Sequence, residues 1–175
     1  MTVSVFAVIF LFCLSTIESS SRILPGPDQW KKEGWKTNFK KHNVKFDEIL
    51  SGGPGRDGIP PIYQPRFESI ENASQWLPGS EPVVAVEIAG ESRAYPVRIL
   101  TWHEIVNDSI HSNPFIVTFC PLCNAAIVYN ARVGKQHLKF GVSGKLRHSD
   151  MVMWDHQTES WWQQLSGESI AGDLT

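Results

Sequence analysis

Alternation of apolar and polar side chains gives this chain most of its recognisable elements. Val83 to Ile88 puts Val84, Val86 and Ile88 on one face and Val83, Ala85 and Glu87 on the other, the period-two pattern of a strand with one buried side. Ala89-Gly90-Glu91 supplies a turn, and Ser92 to Val97 returns antiparallel. Phe115 to Phe119 reads as a buried strand. Ala125 to Tyr129 and Gln136 to Phe140 read as a second hairpin around Val133-Gly134-Lys135. Met151 to Trp154 is a further short strand, Asp155 to Thr158 a turn, and Trp161-Trp162 the start of another strand or a packed loop. Helical spacing is rarer. Ile99, Trp102, His103 and Val106 fall at i, i+3, i+4 and i+7, which predicts a helix over 99–106, with Pro114 ending any continuation. Glu68 to Trp76 predicts a short helix stopped by Pro78 and Gly79. Ser51 to Pro61 mixes Gly with Pro and predicts an irregular loop of definite shape. The fold class expected is α+β, β-dominated, with a mostly antiparallel sheet and a few short helices.

The amino-terminal segment has a different character. Val3 to Leu14 is an apolar or small run followed by Ser15, Thr16 and Ser19 to Ser21. A dozen such residues match a signal-peptide core and fall short of the roughly twenty that span a bilayer. An uncleaved anchor is the rival reading, because no Lys or Arg precedes the run. Residues 1–21 are therefore expected to be a signal peptide, and the product to be secreted or otherwise extracytoplasmic, with no membrane span once the signal is removed. Residues 22–45 form a Lys-rich arm whose Trp30 and Trp35 argue that part of it packs on the body. Residues 46–175 are expected to be a single β-rich domain.

Composition narrows the function classes. The 175 residues are 42% hydrophobic and 19% charged, enough to bury a core. A net charge of −2 lacks the basic excess of a nucleic-acid binder, so no nucleic-acid partner is expected. Asn72-Ala73-Ser74 and Asn107-Asp108-Ser109 fit the glycosylation acceptor pattern.

Candidate chemistry centres on Cys120-Pro121-Leu122-Cys123, the only cysteines left once a signal containing Cys13 is removed. Two thiols at this spacing can close a structural disulfide, which an oxidising compartment favours, act as a redox pair, or chelate a soft metal. In a metal role Cys120 and Cys123 would be thiolate ligands, with His103 and His148 as imidazole candidates, and copper(I) or zinc would suit that donor set. In a redox role Cys120 would attack, Cys123 would resolve and His103 would take the proton. The rival class is a non-enzymatic binding or structural module in which the pair is a permanent disulfide. In Gly141-Val142-Ser143-Gly144-Lys145, Leu146 replaces the hydroxyl of a phosphate loop and Lys145 the second Gly of a nucleophile elbow, so neither motif is met. A hydrolase using Ser143 and His148 is a third, weaker option. The Trp161-Trp162-Gln163-Gln164 run reads first as core.

Six motifs in order resemble the domain-of-unknown-function family 3179. They are Gly52-Gly53-Pro54 with Asp57-Gly58-Ile59-Pro60, Ala94-Tyr95-Pro96, Trp102 to Asp108, Cys120 to Asn124, Phe140 to Gly144, and Ser160 to Gln164. The resemblance runs from about Phe46 to the end. It implies export and one domain pattern that joins the cysteine pair, His103 and the Gly-Val-Ser-Gly stretch. It implies no reaction. It also implies a longer domain, so that this chain would lack its carboxy-terminal part.

Overall fold

A computed structural model describes residues 25–175. The signal-peptide reading of residues 1–21 lies outside the described residues. In chain order the elements are α1 (Pro27–Lys32), β1 (Ile49–Ser51), α2 (Ile70–Ala73), β2 (Val83–Ile88), β3 (Glu91–Pro96), α3 (Val97–His103), β4 (Ile105–Ile110), β5 (Asn113–Cys120), β6 (Ala125–Asn130), β7 (Arg132–Val133), β8 (Gln136–His137), β9 (Phe140–Arg147), β10 (Asp150–Asp155), β11 (Trp161–Gln163) and β12 (Ser169–Ala171). With 40% strand against 13% helix, the β-dominated α+β class holds. Among the described residues no helix is long and apolar enough to cross a membrane.

Two sheets face each other across the main core. One has the order β1-β9-β10-β11-β12 and the other β4-β5-β6, with antiparallel neighbours throughout. Ile105, Ile116 and Cys120 from the smaller sheet meet Phe140, Val142, Met151, Met153 and Trp162 from the larger. The far face of the larger sheet is covered by the amino-terminal arm: Trp30, Trp35 and Phe39 pack on Ile49, Val152, Trp154 and Trp161. The far face of the smaller sheet is covered by the β2–β3 hairpin and α3, where Val86, Tyr95 and Leu100 meet Val106, Val117 and Phe119. Covering both faces explains why β10 is buried at every position and β5 over its last six.

Three hairpins close through two residues that both have positive φ: Ala89-Gly90, His111-Ser112 and His148-Ser149. This geometry matches the right-handed twist of the strands it joins. The last of these turns delivers Asp150 to the start of β10.

Three expectations change. The helix anticipated over 99–106 stops at His103, and Ile105 onwards is strand because it pairs with β5 from Ile105↔Thr118 to Ile110↔Asn113. Asn107 in this strand is buried and locks the two sheets together: its Nδ2 donates to the Phe140 carbonyl at 2.9 Å and its Oδ1 accepts from the Phe140 N–H at 2.7 Å. In the folded chain that side chain is not free to carry a glycan. The second change is Phe140–Arg147, a central strand where no strand was anticipated beyond Phe140. It bulges where Val152 pairs with Lys145 but Met153 with Val142. Ser143 fills the bulge, its hydroxyl donating to the Val152 carbonyl and accepting from the Lys145 N–H. The strand anticipated at Gln136 to Phe140 shrinks to β8, which pairs with β7, while β6 pairs with β5.

Candidate functional site

Cys120 ends β5, Ala125 opens β6, and the two are register partners. The four-residue connection is Pro121-Leu122-Cys123-Asn124. Pro121 fixes one φ, and Asn124 takes the left-handed φ of 50° that Asn tolerates. The connection therefore folds back and brings Cys123 over the strand end, with its Sγ 3.9 Å from the Cys120 carbonyl.

Both cysteines are free, and their sulfurs lie 3.1 Å apart. The permanent disulfide of the structural reading is absent: a bridge requires about 2.05 Å. Cys120 is buried and Cys123 partly so.

The third member of the cluster is Asp150. Its carboxylate and the two thiols all lie within 4.8 Å of one another. Asp150 Oδ1 accepts from the Cys123 thiol at 3.4 Å. Oδ2 accepts from the Leu165 N–H at 3.0 Å and from the Gln163 amide. One oxygen is thus held by the chain and the other faces sulfur. Gln163 is itself gripped, its Oε1 accepting from Arg147 Nη1 at 3.3 Å. Gln164 supports the root of the loop by donating to Thr118 Oγ1 at 3.0 Å and to the Ala125 carbonyl at 3.2 Å. Its Oε1 is buried without a hydrogen-bond partner among the described residues. The Tyr129 hydroxyl donates to the Gln164 carbonyl at 2.8 Å.

Burial, more than any other cause, pushes the Cys123 thiol up to about 12, and the neighbouring Cys120 and Asp150 add to the rise. At neutral pH Cys123 therefore keeps its proton unless a metal displaces it.

Neither histidine anticipated at the cysteines joins this cluster. His103 ends α3 and donates Nδ1–H to the Pro60 carbonyl at 2.7 Å. His148 sits in the β9–β10 turn, its side chain 64% exposed and its Nε2 3.5 Å from Glu48. Ser143 is buried with its proton committed to backbone, and Lys145 pairs with Glu33 at 2.6 Å. The hydrolase option has no accessible nucleophile in Ser143. Asp150 escaped the sequence reading as a site residue, while the Gln163-Gln164 pair, also a candidate contact for a sugar or small polar ligand, read first as core. The last of the six motifs contains Gln163 and Gln164, whereas Asp150 lies in none of them.

The sequence model of one family matches residues 56–175. The chain belongs to the family described as protein of unknown function, DUF3179. No curated protein and no solved structure matches the chain. The DUF3179 match contains Cys120, Cys123, Asp150, Gln163 and Gln164, and it begins after the arm that packs on the larger sheet.

Proposed function

We propose that Cys120, Cys123 and Asp150 bind a transition metal, with zinc the best fit. The observation that carries this reading is the Asp150 carboxylate turned on the thiol pair with one oxygen already anchored by Leu165 and Gln163. Outer hydrogen bonds of this kind orient a metal ligand before the metal arrives. Two thiolates and a carboxylate are a donor set for zinc, whereas copper(I) prefers sulfur without carboxylate. Three protein ligands leave one position of a tetrahedron open, the arrangement of reactive rather than purely structural zinc sites. The high pKa of Cys123 does not oppose binding, because the metal displaces the thiol proton. Zinc at about 2.3 Å from each sulfur needs them about 3.7 Å apart, so binding opens the pair slightly.

A reversible dithiol is the second reading, favoured by the sulfur separation of 3.1 Å. An external disulfide would be the oxidant: its S–S bond breaks to give two thiols, which take up the two electrons and two protons released as the Cys120–Cys123 bond forms. Asp150 is placed to accept the Cys123 proton. Against it, Cys120, the residue cast as the attacking thiol, is only 1% exposed.

The deciding experiment is metal analysis of protein purified without chelator, combined with native thiol titration before and after adding a strong chelator. About one zinc per chain, with thiols reacting fully only after chelation and metal lost in Cys123→Ser, supports the metal site. Failure to retain metal after incubation with excess zinc overturns it. Reversible oxidation by glutathione disulfide without metal would then establish the dithiol.

A further inference from the structure

A cleft of about 610 Å³ lies apart from the cysteine cluster, within the roughly 300–1,000 Å³ typical of small-molecule sites. Buried Phe115 and Leu138, with Pro114, provide apolar walls. The one carboxylate among its lining residues is already neutralised. Asp108 accepts from Arg93 Nη1 at 2.6 Å on both oxygens, from the Tyr95 hydroxyl at 2.7 Å and from the Ser109 N–H at 2.7 Å. Lys139 also lines the cleft, is exposed, and makes no ion pair among the described residues. Of the cleft's acidic and lysine side chains, Asp108 is saturated and Lys139 is unpaired among the described residues, so the charge the cleft can still compensate is negative.

We propose that this cleft binds a small organic anion with a flat apolar body, Lys139 taking the anionic group and Phe115 and Leu138 the body. A cation would meet an Asp108 with no acceptor capacity to spare. The proposal does not depend on the metal reading.

Titration of ¹⁵N-labelled protein with naphthalene-2-carboxylate and with its neutral carboxamide tests it by NMR. The expected result is saturable shifts at the Phe115, Leu138 and Lys139 amides, with the carboxylate binding at least fivefold tighter. Lys139→Gln should bring the two probes to equal affinity while leaving the rest of the spectrum unchanged, since Lys139 is exposed. Non-saturable binding, shifts centred elsewhere, equal affinity for both probes in the unsubstituted protein, or a preference that survives Lys139→Gln would each overturn the proposal. None of these results bears on zinc retention at the cysteines, so the two readings fail separately.

Discussion

The Cys123 thiol donates to Asp150 Oδ1 across 3.4 Å, joining a loop between two strands of one sheet to the first residue of a strand in the other. The contact closes the site only because Leu165 and Gln163 hold the opposite carboxylate oxygen. Asparagine at this position must keep its carbonyl oxygen towards those two donors and present its NH₂ to sulfur. Asp150→Asn should therefore stay folded by circular dichroism yet lose about 10–100-fold or more in zinc affinity. Competition with a chromophoric chelator measures this, and unchanged affinity would remove Asp150 from the ligand set.

Asn107 satisfies both the N–H and the carbonyl of Phe140 from the facing sheet. Asn107→Ala leaves both groups buried and unpaired, at about 1–3 kcal/mol each. A loss of about 2–4 kcal/mol in denaturant unfolding is expected. A loss below about 1 kcal/mol would mean that water replaces the amide.

Gly144 has φ +72°, and a Cβ there would run into the Pro54 carbonyl. The Gly144 carbonyl in turn accepts from the Gly52 N–H at 2.8 Å. The two glycine-rich motifs are thus one packing unit with no phosphate-binding role required of them. Gly144→Ala should cost about 2–4 kcal/mol, through strain and displacement of the loop. Thermal unfolding checks it, and a midpoint within a degree of the unsubstituted protein would contradict the close approach.

Glu104 is buried enough to raise its pKa from 4.5 to about 7. The folded chain then holds that proton more tightly than the unfolded chain. Its contribution to stability is fully present below about pH 4.5, declines as pH rises, and is lost above about pH 7. Partial exposure limits the effect to about 1–2 kcal/mol. Glu104→Gln should abolish this decline, so the variant gains on the unsubstituted protein between pH 5 and 8. Parallel unfolding curves across that range would rule the titration out.

The elements read correctly are those whose signal is local. The β2–β3 hairpin shows alternation and a Gly turn, and β5, β6 and β10 show short apolar runs between breakers. Ile105–Ile110 looked helical at its start because Ile99, Trp102, His103 and Val106 share helical spacing. Pairing with β5 across the His111-Ser112 turn decided otherwise, a sheet contact that outweighs a weak helical preference. Phe140–Arg147 shows no clear strand pattern because two Gly and a Ser interrupt it. Its neighbours on both sides require small residues there: a side chain at Gly141 would strike Trp154 and Asp57.

For the site the division is equally physical. The spacing of Cys120 and Cys123 is enough to place two sulfurs together, since two intervening residues cannot separate them far. Which group completes the cluster is not a matter of spacing. Asp150 arrives through the His148-Ser149 turn and the stacking of one sheet on another, while the same packing leaves His103 on a proline carbonyl and His148 facing Glu48. Backbone preference and hydrophobic period act over a few residues and are written locally. Convergence of donors from a loop and a strand 27 residues apart is a property of the packed sheets, and only folding supplies it.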